Sequence, residues 1–145
     1  MVVLDSNILL YATMLFYPQH QAVKEWLDTA LSTGDEMIGL TWQVVASYIR
    51  VSTNRRVFER PLSLPEVLDV LNDLVDHQMV AKVGPTDDHW TTYTRLLSEL
   101  NLSGDIVMDA RIAAIAIEHK ASVASCDKDF RRFSDHIRII DPMKK

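Results

Sequence analysis

The chain has 145 residues, 48% of them hydrophobic, with 15 Lys and Arg against 20 Asp and Glu and a net charge of −5. That length fits one ordinary domain, so residues 1–145 read as a single unit able to bury a substantial core. Four scattered glycines and five prolines argue against disorder or repeats, no apolar stretch reaches the ~20 residues of a membrane span, and a lone cysteine, Cys126, excludes an internal disulfide.

Met1-Val2-Val3-Leu4 is a short apolar run that ends at Asp5-Ser6-Asn7. This is the pattern of a buried strand opening into a helix. That helix covers 7–14 and stops near Tyr17-Pro18. A second covers 19–32, with Ala22, Trp26, Leu27 and Ala30 on one stripe. After the break at Gly34-Asp35-Glu36, residues 37–40 read as a strand. Thr41 then caps a helix that runs to Val51. Residues 52–60 are polar and loop-like. Ser63 precedes Glu66 at capping-box spacing, with Pro65 in the first turn, and begins a helix that ends near Asp76. Residues 79–83 form a strand, and 86–100 a helix with Trp90, Tyr93, Leu96 and Leu97 facing inward. Residues 105–118 form a helix apolar on nearly every side, and hence buried. A strand over 121–125, a short helical turn and a last strand over 137–140 complete the chain. Strands alternating with helices predict a three-layer α/β fold with a mostly parallel sheet.

In open α/β sheets, ligands gather outside the carboxyl ends of the strands. Asp5 follows the first strand there, and Asp127 and Asp129 follow the strand over 121–125. Acids delivered to one sheet edge point to a divalent metal, since hard cations take oxygen ligands. Asp109 is a third acid, set inside the apolar helix. A carboxylate there costs on the order of several kcal/mol unless it is paired or binds a cation. Arg111 stands two residues away and points elsewhere, so the alternative is a salt bridge to a distant Arg or Lys. Asp105 shares a face with Asp109 and is either a helix cap or a member of the site. Asn7 either hydrogen-bonds a carboxylate or a metal-bound water, or caps the first helix, and Ser6 reads as a cap. Ser125 is placed to orient a carboxylate or a water. Asp129 is either a ligand or the cap of the turn that follows.

Positive charge falls in two clusters, Arg50, Arg55, Arg56 and Arg60, and Lys128, Arg131 and Arg132. Each is either a solvated or partner-binding face or a place to hold phosphates, and the acids beside the second favour phosphate there. The net negative charge weighs mildly against bulk nucleic-acid binding, and less so where acids hold a metal. The five histidines are isolated, with no zinc spacing, and there is no glycine-rich phosphate loop or nucleophile elbow. Asp5-Ser6-Asn7 lacks the second acid of a D-x-D phosphoacceptor. Cys126 reads as a small core residue, with no activating base signalled. An all-oxygen acidic site points to Mg²⁺ or Mn²⁺ and to phosphodiester hydrolysis. The lone cysteine, the apolar start and the absence of a charged leader make a cytoplasmic protein the expectation.

Three segments together carry a resemblance. Val3-Leu4-Asp5-Ser6-Asn7-Ile8-Leu9, Val107-Met108-Asp109-Ala110-Arg111-Ile112-Ala113-Ala114-Ile115-Ala116 and Ser125-Cys126-Asp127-Lys128-Asp129-Phe130 resemble PIN-domain ribonucleases, and more closely the VapC toxins of type II toxin–antitoxin operons. The likeness covers essentially the whole chain. It implies an α/β/α sandwich, one or two Mg²⁺ or Mn²⁺ ions and endonucleolytic cleavage of RNA that leaves a 5′-phosphate. It also implies a homodimer and a VapB-like antitoxin whose tail occupies the active-site groove. Asp5, Asp109 and Asp127 match the acidic, metal-binding catalytic positions. Asn7, Ser125 and Asp129 match supporting positions, and Asp105 adds charge beside them. Arg50, Arg131 and Arg132 are candidates for RNA phosphates. One position departs from the pattern. Typical members carry a glutamate in the helix after the second strand, where this chain has Ser47 or Tyr48. The departure leaves open a scaffold that binds RNA or antitoxin without cutting.

Overall fold

The structure, a computed structural model, describes residues 1–144. Its strands are β1 (Val2–Leu4), β2 (Ile38–Leu40), β3 (Val80–Lys82), β4 (Ser122–Ala124) and β5 (Ile139–Ile140). They form one sheet in the order β3-β2-β1-β4-β5, and all four pairings are parallel. β1 is central. Val2 stands opposite Ile38 on one side and Ser122 on the other, and Leu4 stands opposite Ala124. Covered on both faces, β1 is a continuous apolar run with no alternation.

The helices are α1 (Ser6–Thr13), α2 (His20–Thr33), α3 (Trp42–Ser52), α4 (Leu64–Val75), α5 (His89–Glu99) and α6 (Ile106–Glu118), with a 3-10 helix at Lys128–Phe133. Among the described residues, no helix is long and apolar enough to cross a membrane. The expected α/β class and parallel sheet are both present. α1 packs on α2 and α3, while α6 packs on α5, β1 and β4.

Local chemistry sets most element ends. Thr41 caps α3 by accepting from the Val44 amide at 3.1 Å, and Ser63 caps α4 by accepting from Glu66 at 3.3 Å. α2 ends at Gly34, whose φ of 69° is the left-handed conformation that glycine adopts without a Cβ penalty. Gly39 in β2 has a different role. A Cβ there would lie 3.0 Å from Val3 Cγ2 and 3.3 Å from Val83 Cγ2.

Three expectations change. The helix expected from residue 86 begins at His89, because Thr86 spends its amide and its hydroxyl on Glu118, both at 2.8 Å. Trp90, expected to face inward, is 75% exposed. His89 and Tyr93, four residues apart, stack at 5.4 Å and take the inner face, which turns Trp90 outward. α6 is buried from Ala110 to Ala116 apart from Arg111, yet its first turn is not enclosed: Met108 is half exposed. Asp109 sits in that turn.

Candidate active site

The strand order reverses direction at β1, with β2 on one side and β4 on the other. The crevice beyond the carboxyl ends of β1 and β4 is therefore a topological switch point. Asp5 is the first residue past β1, and its amide donates to Ala124 O at 3.0 Å, which ties the two strand ends together. Ser125 is the first residue past β4.

Asp5 is nearly buried, and both of its oxygens are engaged. Oδ1 accepts from the Ser6 amide at 2.7 Å, so Asp5, and not Ser6, caps α1. Its backbone is extended while Ser6 is already helical. Oδ2 accepts from Ser125 Oγ at 2.7 Å and from Asn7 Nδ2 at 2.8 Å. Asn7 also donates to Ser125 Oγ at 3.2 Å and accepts from the Cys126 amide at 3.3 Å, so its role is to hold the carboxylate and not to cap the helix. Ser125 Oγ further accepts from the Asp127 amide at 3.0 Å. Burial pushes the Asp5 carboxyl above its usual range, against the bonds from Ser125 and Ser6, and the charge of Asp127 adds to the rise.

Asp5, Asn7, Asp109 and Asp127 line one open pocket with Tyr11, Cys126 and Lys128. Asp109 enters from α6. Burial, then the charges of Asp5, Asp127, Asp129 and Asp105, push its carboxyl up to about 7. Among the described residues, neither Asp109 nor Asp5 nor Asp127 forms an ion pair with a lysine or arginine. Among the described residues the distant salt bridge is absent, and no lysine or arginine pairs with the acids to offset their mutual repulsion. Among the described residues, no three acidic, histidine or cysteine side chains stand close enough to grip an ion unaided.

Asp127 and Asp129 are exposed. Asp127 Oδ1 accepts from the Asp129 amide at 2.9 Å, so Asp127, and not Asp129, caps the 3-10 helix. Asp105 stands at the N-cap of α6 but makes no capping bond, because its own backbone is helical. Asp105 and Asp129 stay outside the pocket lining and act on Asp109 through charge. Arg131 lines an adjoining cavity, whereas Arg50 and Arg132 line neither space. Tyr11 was missed in the sequence, although it stands four residues after Asn7 on one helix and so shares its face. Cys126 is partly buried, packs against the core as expected and also lines the pocket wall. Burial, with the charges of Asp141 and Asp5, pushes its thiol up to about 12, so it stays protonated at neutral pH.

Residues 2–135 match the PIN domain profile. The chain belongs to the PIN domain family. Ribonuclease VapC37 of Mycobacterium tuberculosis is 35% identical over 133 residues, 92% of each chain. Ribonuclease VapC31 of the same species is 36% identical over 142 residues, 95% of this chain and 98% of the relative. Solved structures share the fold. VapBC2 from Rickettsia felis, bound to a promoter DNA fragment, gives a TM-score of 0.71 at 18% identity, covering 97% of this chain and 98% of that one. VapBC-1 from nontypeable Haemophilus influenzae gives 0.69 at 19%, covering 99% and 100%.

In this PIN chain, α3 adds no acid to the pocket. Tyr48 is fully buried, with its hydroxyl 2.9 Å from Thr13 Oγ1, and Ser47 does not line the pocket. α3 reaches the site differently. Gln43 Nε2 donates to Met108 O at 2.9 Å, and Tyr93 Oη on α5 donates to Val107 O at 2.6 Å. Both bonds hold the turn of α6 that carries Asp109.

Proposed function

We propose that this chain is a metal-dependent endoribonuclease and the toxin of a type II toxin–antitoxin pair, working as one PIN-like domain. The observation that carries the reading is the set of carboxylates from Asp5, Asp109 and Asp127 around one pocket at the sheet's switch point, with no lysine or arginine among the described residues paired to them. Ribonuclease VapC37 and VapC31 support it by their similarity along the chain.

The donor set fits a hard divalent cation, Mg²⁺ or Mn²⁺, because the pocket's charged donors are oxygens. The absence of a tight three-acid cluster also fits. Mg²⁺ keeps several waters and is commonly held through one or two carboxylates with substrate phosphate. Asp5, Asp109 and Asp127 would hold the ion. When bound, it supplies a water acidified enough to attack near neutral pH and offsets charge on the phosphate. The chain's own residues do the rest. Ser125 and Asn7 fix the Asp5 carboxylate. Gln43 and Tyr93 fix the turn bearing Asp109. Lys128 places positive charge at the pocket wall, and Asp105 and Asp129 deepen the negative potential that attracts a cation. The products carry a 5′-phosphate, as expected for water displacing the 3′ oxygen.

A VapB-like antitoxin, a homodimeric assembly and a cytoplasmic location complete the proposal. The lack of an α3 acid favours one rival, a scaffold that binds without cutting. Purified protein incubated with RNA separates the two. Cleavage with Mg²⁺ that stops in EDTA and in Asp109→Asn supports the nuclease. RNA retention without cleavage at any metal concentration supports the scaffold.

A further inference from the structure

The acidic pocket has a slightly larger neighbour. It holds about 550 Å³ and shares Cys126, Asp127 and Lys128 with that pocket. Four cations line it: Lys128 and Arg131 from the 3-10 helix, Arg138 just before β5, and Lys144 beyond it. Only two acids, Asp127 and Asp141, share the lining. The chain as a whole carries five more acids than bases, 20 against 15, so this excess runs against its average. Among the described residues, none of the four cations is ion-paired. Like charges gathered without partners repel, and an anion relieves the repulsion. Ile137 and Ile139 supply apolar surface in the same cavity. Charge and apolar wall together match a nucleotide, which has a phosphate at one end and a flat base at the other.

Resting on the nuclease reading, we propose that this cavity is a second subsite for the RNA strand, holding the backbone phosphate and base of a nucleotide that flanks the one cut. Continuity decides for RNA over an acidic peptide. A strand whose phosphodiester lies against Asp5 and Asp109 must carry its neighbours over adjoining surface. Asp127 and Lys128 belong to both spaces. Arg138 and Lys144, remote from the acids' own segments in sequence, are the new members.

The test measures binding and not cleavage. A fluorescein-labelled single-stranded RNA is titrated with the full chain in EDTA across a KCl series. Each phosphate contact to a single strand contributes about 0.7 to the slope of log affinity against log salt. The double variant R138A/K144A should therefore lose about 1.4 from that slope, twice 0.7, and weaken binding similarly for all sequences. Lys24→Ala, on α2 and lining neither cavity, should leave the slope unchanged. Arg138 and Lys144 are exposed, so the thermal midpoint should stay put and certify the fold. A slope equal in wild type and double variant overturns the subsite, as does a wild type that binds no RNA in EDTA, whatever acidic protein the cavity then proves to hold. Because nothing need be cut, failure of the nuclease reading appears separately, as intact RNA in Mg²⁺.

Discussion

Ser125 Oγ donates to Asp5 Oδ2 at 2.7 Å, joining residues 120 positions apart in the chain. The same oxygen accepts from Asn7 Nδ2 and from the Asp127 amide, so its whole hydrogen-bonding capacity is committed. One hydroxyl thereby links three of the site's side chains or segments. Ser125→Ala should leave the Asp127 amide without an acceptor and Asp5 short of a donor, costing about 1–3 kcal/mol. Loss of such a partner behind a metal-binding group lowers metal affinity or activity by about 10- to 100-fold. Chemical denaturation and RNA cleavage read the two effects. Full activity in Ser125→Ala would show that Asp5 needs no support from β4.

The carboxyl of Asp109 gives stability a definite pH dependence. Its folded value, about 7, lies above the ordinary aspartate value of 3.8. The folded state therefore holds the proton more tightly, and its contribution to stability is present at low pH and lost as pH rises toward 7. In EDTA, the thermal midpoint should fall between pH 5 and pH 7.5 through this group. Asp109→Asn should flatten that fall. Added Mg²⁺ should raise the midpoint more at pH 8 than at pH 5.5, because protons compete for the same oxygens. Thermal scans at both pH values check the sign. An Mg²⁺ shift larger at pH 5.5 would mean that the ion binds elsewhere.

Gly39 sits where a Cβ would press on the side chains of Val3, Met1 and Val83 at 3.0–3.3 Å. Gly39→Ala should cost about 1–3 kcal/mol through overpacking against Val3 and Val83. Urea unfolding measures it, and a neutral result would mean that the sheet relaxes at no cost.

Much of this architecture is legible in the sequence because its signals are local. Val2-Val3-Leu4 is apolar without alternation, as a strand buried on both faces must be. Thr41, Ser63 and Gly34 are end signals that act within four residues. The convergence of Asp5, Asp109 and Asp127 is also legible, because strand ends and a charge in an apolar helix leave few other places for them. What stays hidden depends on distant partners. Thr86 is a good helix start by type, but Glu118, 32 residues away, claims its amide. Trp90 reads as core until His89 and Tyr93 stack and displace it. The basic cavity joins Lys128 and Arg131 to Arg138 and Lys144, a grouping that only the turn into β5 creates.

Glu118 anchors the far end of α6. Burial works against its charge, but bonds from His89 and Thr86 outweigh it and hold the carboxyl below its usual range. Its contribution to stability is present at neutral pH and lost as pH falls through that lowered value. Glu118→Gln should cost about 1–3 kcal/mol at pH 7, since a charged acceptor for three donors is lost. The cost should shrink in acid, where the native carboxyl is itself protonated. Destabilisation that stays undiminished as the pH is lowered through and below the ordinary carboxylate range would reject this role.

The decisive quantity is whether remote carboxylates share one ion. Mn²⁺ titrated into the protein and followed by electron paramagnetic resonance reports free and bound metal without any substrate. Asp5→Asn, Asp109→Asn and Asp127→Asn should each weaken that binding, and each should cut RNA cleavage by more than the ~10- to 100-fold expected for losing an outer partner. Undiminished Mn²⁺ binding in all three variants, or RNA cleavage that persists in EDTA, would mean that these acids hold no common ion.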